Sequence, residues 1–335
     1  MTTWAEERGA RLRGFGPGWD ACAELEWCDG DEEAGAAELR RDPAVEAVLT
    51  ARRPCHHVAA AGREPLQVAV GPARFGGGQA SAIAGPCSVE DLDSLLALAR
   101  RLRKAGATAL RGGAYKPRTS PYSFQGLGEP GLEILAEVSR RTGLPVVTEV
   151  LDPRDVARVA EHADVLQIGS RSMASTALLK EAGAAGRPVL LKRGMSATLS
   201  EFLFAAEYVA RSGCEEILLC ERGLRHFDPA VRNLLDLTAV PALKRETHLP
   251  VLVDPSHGTG DAALVPAMMA AAAAAGADGF LVEVHPRPAC ALSDPEQALD
   301  PAAFAAALHR AASVLVACGR RLARPEAADP AFAPS

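Results

Sequence analysis

From residue 80 onward the chain alternates short apolar runs with longer amphipathic stretches, and that rhythm constrains the fold more than any other feature. The short runs are SAIAG (81–85), ATALRGG (107–113), PVVTEV (145–150), DVLQIG (164–169), PVLLKRG (188–194), EEILLCERG (215–223), PVLVDPSH (250–257) and GFLVEVH (279–285). Each is continuously apolar rather than alternating, which marks strands buried on both faces. Between them lie helix-period segments such as Leu92–Ala105, Gly131–Thr142, Pro153–His162 and Leu199–Arg211. Eight strand–helix units in roughly 240 residues match an α/β fold of the (β/α)8 TIM-barrel type in number and size. A doubly wound parallel sheet is the structural alternative.

Composition removes several classes of function. With 36 Lys+Arg against 42 Asp+Glu, the net charge is −6, so no excess basic field is available for nucleic acid. The longest uncharged stretch lies between Asp261 and Asp278, is mostly alanine and contains Pro266 and Gly276; it is a packed helix, too short to span a bilayer. The N-terminal MTTWAEERGARLRG has no apolar signal core, and its acids argue against a transit peptide. The 8 cysteines are sparse and form no CxxC. A reduced, cytoplasmic enzyme is expected, with no nucleic-acid or membrane partner.

Residues 1–78 read differently. They hold all three tryptophans (Trp4, Trp19, Trp27) and an acidic run, Asp29–Glu33. A helix is expected near Glu33–Leu49, interrupted at Asp42-Pro43, and Gly76-Gly77-Gly78 marks a boundary. The expected division is an N-terminal extension (1–78), a barrel (79–323) and a disordered tail (324–335).

Nearly every apolar run ends in a chemically capable group: Cys87, Arg111, Glu149, Arg171, Lys192, Glu221-Arg222, Asp254 with His257, and Glu283 with His285. In a barrel all these ends share one face, where active sites are built. Arg111, Lys116, Arg118, Arg171, Lys192 and Arg222 imply anionic ligands, since Arg forks bind phosphate or carboxylate in bidentate fashion. Salt bridges to Glu149, Glu221 and Asp254 are the plainer reading of the same cations. Cys87, His257, Glu283 and Asp294 make a mixed S/N/O/O set suited to Mn, Fe, Co or Zn. His285 is a further ligand candidate or a partner to one. RGGAYKPRTSPYSFQGLG (111–128) combines glycines, cations, hydroxyls and prolines, a composition suited to wrapping a phosphorylated polyol.

Taken together, AGPCSVE (84–90), LRGGAYKPRTSPYSFQGLG (110–128), DVLQIGSR (164–171), LLKRG (190–194), CERG (220–223), VDPSHGTG (253–260), VEVH (282–285) and ALSD (291–294) resemble the 3-deoxy-D-arabino-heptulosonate 7-phosphate (DAHP) synthases. The subgroup is the one related to octulosonate 8-phosphate synthases, and KPRT (116–119) separates the two. The resemblance implies a (β/α)8 barrel that condenses phosphoenolpyruvate with erythrose 4-phosphate in the first step of the shikimate pathway. It implies a single divalent metal, manganese first among the alternatives, held by Cys87, His257, Glu283 and Asp294. It places Arg111, Arg171, Lys192 and Arg222 on phosphoenolpyruvate, Lys116 between the two substrates, and Arg118, Thr119 and Ser120 on the aldose phosphate. Lys116, Cys87, His257 and Glu149 are the expected catalytic set, Glu149 and Glu221 acting behind the substrates or on water. A homo-oligomer, dimer or tetramer, is expected. The same chemistry on another phosphorylated aldose, or a non-catalytic regulatory paralogue, are the alternatives.

Three departures from the family pattern stand out. GSRSMAST (169–176) replaces a GARNMQN-like motif, beside Arg171. Gly258 follows His257 where alanine is common, which should loosen that turn. Pro295 follows Asp294 and should hold it extended. Residues 43–72 resemble the end of an N-terminal ferredoxin-like regulatory domain, so 1–78 is expected to be an extension or a reduced form of one.

Overall fold

The computed structural model describes residues 2–14, 23–27, 31–43, 45, 48, 55–60, 62–118 and 120–325. Contacts divide the chain into two units, Met1–His56 and His57–Ser335. The division falls upstream of the glycine triplet at 76–78.

In the larger unit all eight expected strands form. They are β1 (Gln79–Gly85), β2 (Ala109–Arg111), β3 (Val146–Val150), β4 (Val165–Ile168), β5 (Val189–Lys192), β6 (Ile217–Glu221), β7 (Val251–Val253) and β8 (Gly279–Glu283). Each pairs in parallel with the next, and β8 pairs back onto β1 from Gly279↔Ser81 to Glu283↔Gly85. That closure makes a barrel and rules out the open, doubly wound alternative. Eight helices of seven residues or more follow the strands, besides a short one at Pro255–Thr259: α1 (Leu92–Ala105), α2 (Glu129–Thr142), α3 (Val156–His162), α4 (Thr176–Ala184), α5 (Leu199–Arg211), α6 (Ala239–Glu246), α7 (Val265–Ala275) and α8 (Pro301–Ala317).

Local chemistry sets the helix ends. Asp91 caps α1 by accepting from Ser94 N, and Gly106 closes it in the left-handed conformation. Thr198 and Glu201 form a reciprocal capping box on α5. α2 starts two residues earlier than Gly131 because Pro130 suits the first turn. The segment from Pro153 to His162 divides into a 3-10 turn, Pro153–Asp155, and α3.

The barrel core takes a residue from every strand: Ile83, Ala109, Val147, Val165, Leu190, Leu218, Leu252 and Leu281, all buried. A short hairpin, Val68–Val70 with Ala73–Phe75, packs into the same cluster through Val68, Ala73 and Phe75. Phe75 touches Gly279 at the start of β8, so the hairpin plugs the N-terminal end of the barrel. The alanine-rich stretch is α7, with Val265, Met269, Ala272 and Ala273 buried. Among the described residues no helix is long and apolar enough to cross a membrane.

In the smaller unit, strands Ala10–Gly14 and Ala23–Trp27 form an antiparallel hairpin that the sequence did not announce. ARLRG and AELEW do alternate apolar with charged residues, but over only five positions each, too few to stand out from the surrounding irregular sequence. The expected 33–49 helix forms only as Glu32–Leu39, capped by Asp31. It ends before Asp42-Pro43, since a residue preceding proline disfavours the helical region. The tail from residue 326 onward lies outside the described residues.

Candidate active site and metal centre

The C-terminal ends of the strands bring the expected ligand residues to one point. Cys87 follows β1, His257 follows β7, Glu283 ends β8, and Asp294 lies in the segment beyond it. One donor atom from each falls within 4.8 Å of all the others. Cys87 Sγ lies 3.0 Å from Asp294 Oδ2, and His257 Nε2 lies 3.3 Å from Glu283 Oε1. His257 is oriented by Asp254, whose Oδ2 is 2.8 Å from Nδ1. Asp254 is fully buried and also caps the short helix Pro255–Thr259 by accepting from His257 N. With the Nδ1 proton engaged there, Nε2 keeps its lone pair for the cluster.

The electrostatics of the four match a cation-seeking set. Burial first, and Glu283 second, push the Cys87 thiol up to about 12. Burial would also raise Glu283, but His257, Arg111 and Lys116 outweigh it and hold it below the usual carboxylate range. Asp294 is held at about 2, its bond from Cys87 and the charges of His257 and Arg232 overcoming partial burial. A thiol that must become a thiolate, a lone-pair imidazole and two carboxylates fit a divalent ion of borderline softness. The cluster is consistent with a divalent metal site.

Asp294 corrects an expectation. It is not extended: φ is 50° and ψ 51°, the only non-glycine positive φ among the described residues. Aspartate tolerates this left-handed region better than most residues. The turn aims its carboxylate back at Cys87.

Beside the cluster lies a cleft of about 330 Å³ lined by Arg111, Lys116, Arg118, Ser120, Glu149, Arg171, Lys192, Arg222, His257 and Asp294. Every expected substrate residue is therefore gathered here except Thr119, which lies outside the described residues. The cations are not equivalent. Arg111 pairs with Glu283 at 2.9 Å and Lys192 with Asp254 at 2.5 Å, so the plainer salt-bridge reading holds for Lys192, though not with Glu149 or Glu221. Among the described residues no carboxylate pairs with Arg171 or Arg222. Burial lowers the Arg222 pKa, which shows a guanidinium short of compensation. Its Nε, and that of Arg111, are buried without a partner. A buried guanidinium without a carboxylate partner, as Arg222 is among the described residues, is most simply satisfied by an anionic ligand.

Lys116 Nζ donates to Cys87 O at 3.0 Å and sits beside the metal cluster. Burial works against its charge, but Cys87 and Glu149 more than restore it and raise its pKa. Glu149 nests against Gly169, where any side chain would put a carbon 1.9 Å from Glu149 Oε1. Arg118 reaches Ser293 Oγ and donates to Phe124 O, folding the 111–128 loop over the site.

Glu221 does not face the cleft. It is fully buried, 2.8 Å from Arg193 Nη1, and accepts from Gly223 N at 2.6 Å. Arg193 also reaches Asp236 at 3.0 Å, so this pair staples the β5 and β6 loops and sets the turn that carries Arg222. Arg193→Met is expected to cost about 3–5 kcal/mol by stranding a buried carboxylate. Equilibrium denaturation checks this; a loss under ~1 kcal/mol would show that the staple is dispensable.

The other departures also resolve. Gly258 makes room for Leu235, whose Cδ1 would lie 2.6 Å from an added Cβ. Ser170 is the second residue of a tight turn closed by Ser172 N to Gly169 O, and its hydroxyl is buried without a partner. His285 is no ligand here; its Nε2 lies 3.4 Å from Glu90. Arg232 and Gln297 were missed from sequence. Both touch the ligand carboxylates, but neither ends a strand, and nothing in their spacing marks them.

A closed parallel barrel carrying a Cys/His/Glu/Asp quartet beside a cation-lined cleft defines a metal-dependent barrel enzyme for anionic substrates. The DAHP synthetase I family pattern matches residues 64–315. The phospho-2-dehydro-3-deoxyheptonate aldolase of Thermotoga maritima is 53% identical over 237 residues, 71% of this chain and 70% of that one. A 2-dehydro-3-deoxyphosphooctonate aldolase of Acidithiobacillus ferrooxidans is 36% identical over 63% of this chain and 81% of its own. The crystal structure of the Thermotoga maritima DAHP synthase superposes with a TM-score of 0.81 at 43% identity, covering 96% of this chain and 94% of that chain. The chain belongs to the DAHP synthetase I family.

Proposed function

We propose that this barrel condenses phosphoenolpyruvate with erythrose 4-phosphate to give 3-deoxy-D-arabino-heptulosonate 7-phosphate and phosphate, the first step of the shikimate pathway. The observation that carries the reading is the quartet of ligand-type residues at the rim of a cleft whose Arg171 and Arg222 have no carboxylate partner among the described residues. A divalent ion on Cys87, His257, Glu283 and Asp294 would supply a Lewis acid for the aldehyde oxygen.

The protein's own groups account for the rest. Arg171 and Arg222, which bond only backbone carbonyls among the described residues, take the phosphate dianion of phosphoenolpyruvate, while Arg111 and Lys192, already partly neutralised, take its carboxylate. This holds C3 of the enol beside the aldehyde and turns a bimolecular encounter into a positioned one. C3 bonds to the aldehyde carbon, and the developing alkoxide lies near Lys116 Nζ, which neutralises or protonates it. Water then adds at C2, Glu149 taking one of its protons, and the C2–O bond to phosphate breaks as the C2 hydroxyl gives its remaining proton to the departing phosphate, leaving the ketone. Arg118, Ser120 and Thr119 hold the aldose phosphate.

Manganese is the first metal to try. A homo-oligomer remains our expectation. Residues 1–78 we read as an extension or a reduced form of a ferredoxin-like regulatory domain, with its main body in the unit Met1–His56. Its described elements run helix, strand, strand, helix, the middle four of that βαββαβ order.

The test is phosphate release and product formation from phosphoenolpyruvate, with erythrose 4-phosphate and arabinose 5-phosphate in parallel, each with Mn(II) or a chelator. Metal-dependent turnover with erythrose 4-phosphate alone is the expected result. Turnover with arabinose 5-phosphate alone would reassign the aldose, and turnover with neither would remove the catalytic reading.

A further inference from the structure

We propose that Gln297 and Arg232 form a clamp that selects which oxygens of Glu283 and Asp294 face the metal. The proposal rests on the metal-centre reading above. Gln297 is 1% exposed and sits in the 3-10 turn Pro295–Gln297. Its Nε2 donates to Glu283 Oε2 at 2.7 Å, and its Oε1 accepts from Arg232 Nη1 at 2.7 Å. The amide can lie only this way round, because a carboxylate accepts and a guanidinium donates. The same Nη1 reaches Asp294 Oδ1 at 3.3 Å.

The two residues therefore occupy the outer oxygen of both ligand carboxylates. Glu283 is left with Oε1 turned to the cluster, where it accepts from Arg111 Nη1 at 2.9 Å and lies 3.3 Å from His257 Nε2. Asp294 is left with Oδ2, 3.0 Å from Cys87 Sγ. Arg232 is itself seated. Its backbone N–H donates to Thr259 O at 3.0 Å, and its side chain lies over Gly260, where an added Cβ would be 2.5 Å from Arg232 Cβ. The clamp also explains how the left-handed Asp294 persists. A strained residue survives where its surroundings over-determine it. Here Cys87 holds one carboxylate oxygen and Arg232 the other, while Gln297 N returns to Asp294 O at 3.4 Å. Gln297 and Arg232 are positioning residues: they act on the reaction only through the ligands they hold.

Metal affinity tests this directly, with Co(II) as the probe, in the full-length protein and in Gln297→Met, Arg232→Met and Arg232→Lys. Chelator competition gives the dissociation constant, and the cobalt–thiolate absorption reports the geometry at Cys87. Partners behind metal ligands typically carry 10–100-fold in affinity. Gln297→Met is expected to weaken Co(II) binding by that factor and to shift the thiolate band. Arg232→Met should lose about tenfold, with Arg232→Lys recovering part of it. The melting temperature of the metal-free variants should stay close to that of the parent, which separates positioning from simple loss of fold. Unchanged affinity and an unchanged band in both methionine variants would overturn the clamp. Should Gln297→Met fail to fold, Arg232→Met decides, since its side chain is 45% exposed. A parent protein that takes up no stoichiometric Co(II) would remove the metal-centre reading and the clamp together.

Discussion

Cys87→Ser lowers turnover by at least ~10³-fold at limiting metal, and chelation of the parent protein does the same. The expectation follows from what the four donors share. Cys87 is the only soft donor among them, and burial holds its thiol protonated, at about 12, unless a cation takes the sulfur. Losing it leaves an imidazole and two carboxylates, a harder and looser set. The activity measured after re-addition of Mn(II) is diagnostic. The chelated parent recovers, whereas Cys87→Ser recovers only at much higher metal concentration. Full activity of the chelated protein would show that the quartet plays no part in the reaction.

Lys116→Met lowers kcat by about 10²–10⁴-fold, with a smaller change in KM for phosphoenolpyruvate. Lys116 is 8% exposed, with Nζ fixed by Cys87 O at 3.0 Å. Its charge is kept in a buried place by Cys87 and Glu149, against the cost of burial. A buried ammonium held beside the ligand cluster is worth most when negative charge appears nearby, which happens as the carbon–carbon bond forms. In the proposed reading phosphoenolpyruvate is held instead by Arg171, Arg222, Arg111 and Lys192, so kcat should carry the loss. Steady-state kinetics separates the two quantities. Near-normal kcat in Lys116→Met would remove its assigned role. Lys116→Arg should restore charge without restoring the rate, because the fork does not fit a site shaped for a single ammonium.

The barrel was readable because each of its strands is buried on both faces, and burial writes itself into sequence as an unbroken apolar run. Leu190, Leu218, Leu252 and Leu281 meet in one core, and each lies in a run that stands out by itself. The donor residues were readable for a related reason. A parallel barrel sends every strand end to one face, so polar groups following apolar runs converge without further instruction. That holds for Arg111, Glu149, Lys192 and Glu283.

It fails where a residue's role depends on its neighbours in space. Glu221 ends β6 as Lys192 ends β5, yet Glu221 turns inward to Arg193 while Lys192 lines the cleft. Nothing in the CERG motif separates the two outcomes. The Ala10–Gly14 and Ala23–Trp27 hairpin was missed because its strands are short and rich in charge.

By itself, then, the sequence determined the strand count, the parallel strand–helix order, the residue types at the strand ends and the sign of charge in the cleft, since each rests on local pattern, while closure of the sheet was settled by the pairing of β8 with β1. Only the tertiary structure decided which cations stay unpaired, that Asp294 turns left-handed, and that Arg232 and Gln297 stand behind the ligands. Those outcomes depend on distances between side chains as far apart in the chain as Cys87 and Asp294, set by how the barrel closes rather than by any stretch of residues.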